Sequence, residues 1–139
     1  NNIIGHLVNS SILDIDINKE TDSIKQAYDI LSGKGKDGLH DNAEKSFHVG
    51  ATKILHFLNP ELFIIVDSNA ARAFRECHHV PFKNTTQPGY TAELYVKCMW
   101  HVHQDITTFG VNNFQNLEPG CPLTRIFDKL TFATGSGWN

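Results

Sequence analysis

The sequence predicts a mainly helical, all-α domain, and three observations carry that reading. Apolar residues recur at three- and four-residue intervals in several long segments, the period of an α-helix with one buried face. Glycine or proline stands at the ends of those segments, where helices stop. Only the short run Leu62 to Val66 has the look of a strand, so the chain holds at most one short strand pair.

At 139 residues the chain suits one domain, residues 1–139. It begins at Asn1 rather than methionine, so we read it as a fragment or the ordered part of a longer chain. The first stretch has Ile3, Ile4, Leu7 and Val8 at helical spacing and is expected to end a helix. Asn9, Ser10 and Ser11 break it, and Ile12, Leu13, Ile15 and Ile17 pack as a connection. A helix follows, with Ile24, Ala27, Tyr28 and Leu31 as its stripe, Asn18 or Thr21 as its cap and Gly33 as its stop.

The run from Gly33 to Gly38 is a polar loop. A phosphate-binding loop would need a preceding strand and a Gly-Lys-Ser/Thr ending, and both are absent. The next helix is expected over residues 43–58, with Phe47, Ala51, Ile54 and Leu58 inward. Asn59-Pro60 stops it, because the residue before a proline disfavours helix. "ELFIIV" is a short strand or a tight buried turn. Asp67 or Ser68 then caps a helix running to Cys77.

After a loop with two prolines comes the longest helical pattern, ending near Gly110. Its expected face is Leu94, Cys98, His101 and Ile106, with Val102 and Phe109 beside it. The last helix has proline in its first turn and the stripe Leu123, Ile126, Phe127 and Leu130.

A net charge of −3 offers no bulk attraction for nucleic acid, although a local basic patch remains compatible with it. Three widely spaced cysteines and no secretory signal make a reduced, cytoplasmic setting the expectation. No apolar run approaches the roughly 20 residues needed to cross a bilayer, so no membrane partner is expected.

The stretch "HVGATKILHFLNPELFIIVDSNAARAF", from His48 to Phe74, carries the candidate chemistry. Lys53 shares a helical stripe with Ser46, Gly50 and Phe57, beside the apolar face. Gly50 lies about one turn earlier and leaves space next to the amine. A lysine against an apolar wall is a candidate nucleophile. Asp67 follows a chain reversal that can return it to Lys53, where a carboxylate assists proton transfer or stabilises a cation. The plainer alternative has Lys53 reaching to water and Asp67 capping a helix.

Residues 51–74 resemble the lysine-to-aspartate segment of helix-hairpin-helix DNA glycosylases, most of all the 8-oxoguanine glycosylase-like branch. The resemblance rests on Lys53, on Leu55-His56-Phe57, on Asn59-Pro60-Glu61-Leu62-Phe63 and on Asp67. It implies an all-α fold that binds DNA through its hairpin. It also implies that Lys53 attacks the sugar C1′ to form a Schiff base, with Asp67 activating the lysine or stabilising the oxocarbenium ion. The segment departs from the family in having only Gly50 where a Gly-x-Gly is usual and Ile65 where proline is frequent. Its lysine-to-aspartate interval is also short.

With Lys53 and Asp67 as the catalytic pair, His48, Gly50, His56, Ser68, Arg72 and Arg75 are the candidate substrate or DNA contacts. Arg72 and Arg75 lie three apart on one helix, among aromatics that suit stacking on bases. No cofactor is expected. Two other function classes stand beside the glycosylase reading. One is a non-catalytic binding or scaffold domain with a protein partner in a larger assembly. The other is a metal-binding protein using Cys77, His79, Cys98 and His101, since cysteine and histidine are natural zinc ligands.

Overall fold

The computed structural model describes residues 5–33, 47–83 and 88–135. They form α1 (Ile17–Ser32), α2 (His48–Leu58), α3 (Ser68–His78), α4 (Ala92–Phe109), α5 (Val111–Leu117) and α6 (Leu123–Gly135). The fold is all-α, and no strand occurs among the described residues. The glycine-rich loop after Gly33 and positions 43–46 of the expected second helix lie outside the described residues.

Helix α1 starts earlier than its sequence signals suggest. Asp16 is the cap, accepting the Lys19 N–H at 3.2 Å. Thr21 instead donates its hydroxyl to the Ile17 carbonyl. At the other end Gly33 takes φ 86°, a left-handed conformation in which its N–H reaches the last carbonyls of the helix. Upstream, residues 5–9 form turns rather than the end of a helix.

Helix α2 is rotated relative to its expected face. Ala51, Thr52 and Leu55 point inward, whereas Phe47 is 46% exposed and Leu58 is exposed. The inward residue that apolar periodicity misses is Thr52. Its hydroxyl donates to the Val49 carbonyl at 2.8 Å and accepts the Val66 N–H at 3.1 Å. A buried hydroxyl with both roles filled costs little.

Those bonds explain residues 63–67, the "FIIVD" segment. It is neither helix nor strand and pairs with no strand among the described residues, so its buried backbone groups need side-chain partners. His56 Nδ1–H donates to the Phe63 carbonyl at 2.7 Å, Tyr95 Oη–H donates to the Ile64 carbonyl at 2.8 Å, and Thr52 accepts from Val66. Three side chains on α2 and α4 do the work of a neighbouring strand. They fix the segment that delivers Asp67.

The turn before it is held by Asn59, 5% exposed. Its Nδ2 donates to the Leu7 and Ser10 carbonyls at 2.7 and 2.8 Å, and its Oδ1 accepts the Glu61 N–H at 3.1 Å. Asn59 therefore fastens the N-terminal segment to the end of α2, beyond merely stopping that helix. Asn59→Ala removes all three of these bonds, of which the one to the Leu7 carbonyl is buried. We expect a loss of about 2–4 kcal/mol, read from the urea midpoint at unchanged m-value.

Helix α1 packs on α2 and α4, α3 packs on α6, and α5 bridges α4 and α6. Tyr28 and Tyr95 meet at 5.2 Å between ring centroids in the first group, and Phe74 and Phe127 stack at 5.9 Å in the second. On α4 the buried residues include Leu94, Tyr95, Cys98, Met99, Val102 and Ile106. Phe109, the last residue of α4, is exposed although its ring meets Phe114 of α5 edge-on at 5.1 Å. Leu130, assigned to the inward stripe of α6, is also exposed.

Candidate active site

Lys53 sits on the exposed side of α2, and Asp67 is the residue before α3. The reversal made by the Asn59-Pro60 turn and residues 63–67 brings both to one cavity of about 410 Å³. Ile65 and Phe132 are its apolar members, and α6 adds Arg125, Asp128 and Lys129. Helix α6 is held there by the Thr124 hydroxyl, which donates to the Pro60 carbonyl of the same turn. The wall expected beside the lysine is thus partly realised, although Lys53 itself is exposed.

Asp67 has a structural task as well. Its Oδ1 accepts the Ala70 N–H at 2.9 Å, capping α3. Its negative charge also reaches its neighbours. The Tyr90 phenol is pushed up to about 12, first by burial and then by Asp67. The Asp128 carboxyl is raised above its ordinary range, first by burial, with Asp67 adding to the shift. Arg125 contacts Asp128 directly and pulls the other way, as does His56. Burial outweighs them. Lys129 is engaged by Glu118, with its ammonium 2.6 and 2.7 Å from the two carboxylate oxygens.

The other residues expected at the site are distributed more widely. Gly50 was to leave space beside the amine. That space holds the Phe47 ring, which folds back over Gly50 from one turn earlier, so a Cβ there would collide with it. His48 is half-buried between Tyr28 and Tyr90, with its Nδ1 3.0 Å from the Tyr28 hydroxyl. His56 is committed to the Phe63 carbonyl. Ser68 is exposed in the first turn of α3. Arg72 lies 3.2 Å from Glu76 on its own helix, and Arg75 is exposed; neither lines the cavity.

The cysteine and histidine set does not assemble. Cys98 points into the core and its thiol is pushed up by burial, whereas Cys77 is exposed at the end of α3. His79 is an exposed left-handed cap with φ 56°. His101 stacks on His78 at 4.3 Å, and His78 Nε2 meets Asp105 at 2.6 Å. Among the described residues no three Cys, His, Asp or Glu side chains converge as a metal site. The same residues also contain no helix long and apolar enough to cross a membrane.

Arg125, Asp128, Lys129 and Phe132 went unrecognised from sequence. Their signal was the spacing of three charges and an aromatic on the outer side of an amphipathic helix, which a solvated surface produces equally well. No protein-family model, curated protein or solved structure matches the chain.

Proposed function

We propose that this chain is a DNA glycosylase-like protein acting on an altered or missing base. In this reading Lys53 is the nucleophile toward the sugar C1′ and Asp67 is the assisting carboxylate. The observation that carries it is the convergence of Lys53 and Asp67, from different elements, on one cavity. An amine and a carboxylate around an accessible space suit attack on an electron-poor carbon: the amine forms the bond and the carboxylate takes the proton. Ile65 and Phe132 offer apolar surface for a sugar or base. Lys53 supplies positive charge at the cavity for a phosphate, whereas Arg125 and Lys129 are engaged by Asp128 and Glu118.

The test is borohydride trapping of the wild-type chain with duplexes bearing 8-oxoguanine, uracil or a preformed abasic site. The expected result is a covalent protein–DNA adduct on at least the abasic duplex. A folded protein giving no adduct on any of them would overturn the Schiff-base mechanism.

A second reading, a non-catalytic binding scaffold, is favoured by the 2.9 Å bond from the Ala70 N–H to Asp67. That bond gives the aspartate a reason to exist without chemistry. On this reading DNA or a protein partner binds the exposed face of α2 and no adduct forms.

A further inference from the structure

We propose that Asp128 is a further catalytic residue, the acid that protonates the departing base. The inference rests on the glycosylase reading of the same cavity. Breaking a C1′–N bond leaves an electron pair on the base nitrogen, and a base leaves far more readily when that pair receives a proton. A lysine that attacks and a carboxylate that takes its proton leave the departing base without a donor of its own. The cavity is lined by one further carboxyl, Asp128, which α6 contributes.

Its surroundings differ from those of Asp67. The Asp128 side chain is only 13% exposed. The charged and titratable groups around it are Arg125 and Lys129 on its own helix, Asp67 at the start of α3, and Lys53 and His56 on α2. Burial and the Asp67 charge favour its neutral form, and the direct Arg125 contact holds its orientation while opposing that shift. Two carboxyl groups line one cavity, and the one that burial holds toward its neutral form is suited to donate a proton.

The step balances with these groups alone. The free amine of Lys53 forms a bond to C1′. The C1′–N bond breaks, its electron pair stays on the base, and the Asp128 carboxyl delivers a proton there. The amine proton released by bond formation passes to Asp67. Asp67 then returns it to O4′ as the sugar ring opens, giving the iminium ion that borohydride reduces. A preformed abasic sugar presents an aldehyde and has no base to expel, so that substrate bypasses the proton from Asp128.

The deciding experiment compares Asp128→Asn and Asp128→Glu in the full chain on base-bearing and preformed abasic duplexes. With Asp128→Asn, adduct formation from the base-bearing duplex is expected to slow by about 10²–10⁴-fold, with the loss confined to that substrate. Asp128→Glu, which keeps the acid, recovers part of the rate. The wild-type rate on the base-bearing duplex falls as pH rises through the Asp128 titration, and Asp128→Asn lacks that limb.

Equal rates for Asp128→Asn and wild type on the base-bearing duplex would overturn the proposal. So would an equal loss on both substrates, which marks a structural role. A wild type that traps only the abasic duplex removes the donor step and leaves the Lys53 reading standing. A wild type that traps neither overturns the Schiff-base reading on which this proposal rests.

Discussion

Lys53→Ala is expected to abolish every borohydride-trapped adduct while leaving the fold unchanged. The adduct needs a primary amine at C1′, and alanine has none. Because Lys53 is exposed on α2, its removal should change stability by no more than about 0.5 kcal/mol. Loss of the adduct therefore reads chemistry and not unfolding, provided the urea transition is unmoved. Lys53→Arg separates the amine from its charge. A guanidinium stays protonated and forms no Schiff base, yet it preserves attraction for phosphate. It should bind the abasic duplex with near wild-type affinity by fluorescence anisotropy and trap nothing. An adduct persisting in Lys53→Ala would move the nucleophile elsewhere and leave Lys53 as a surface cation.

The convergence of Lys53 and Asp67 was legible in sequence because it follows from local rules. Pro60 forces α2 to stop, the apolar run through Val66 must be buried, and Asp67 is a preferred cap for the helix that comes next. The stripe on α1 was legible for the same reason, and Ile24, Ala27 and Tyr28 are indeed buried. What could not be read depends on groups far apart in the chain. The rotation of α2 is set by Thr52, which looks polar until Val66 N–H and Val49 O are known to be its partners. Asn59 reads as a stop signal, but its burial answers carbonyls at Leu7 and Ser10. The arrival of α6 over the cavity depends on Thr124 meeting Pro60 and on Phe127 stacking against Phe74 and Phe114. Gly50 failed for a short-range reason: a glycine opens space for any neighbour, and the nearest was Phe47.

Asp67 carries two tasks that two substitutions separate. Asparagine caps a helix about as well as aspartate, because its side-chain oxygen accepts the same N–H. Asp67→Asn is therefore expected to keep the bond from Ala70 and to unfold within a few tenths of a kcal/mol of wild type. It cannot take a proton from the amine, so adduct formation should slow by about 10²–10⁴-fold. Asp67→Ala should lose the cap as well, at about 1 kcal/mol, with a similar loss of rate. An Asp67→Asn protein that reacts at the wild-type rate would reduce the aspartate to a helix cap.

Tyr90 gives an independent check that the substitution acts through charge. The carboxylate raises the phenol, so neutralising Asp67 should lower the Tyr90 titration from about 12, leaving the part due to burial. The direction at Asp128 is the same: without a negative neighbour its carboxyl titrates lower and holds its proton less firmly. The fall in base-excision rate with rising pH should then begin at lower pH in Asp67→Asn than in wild type. Trapping on the preformed abasic duplex should show no such displacement, since that reaction has no base to protonate. If Tyr90 shifts while this limb stays in place, Asp67 and Asp128 are electrostatically coupled but Asp128 does not supply the proton.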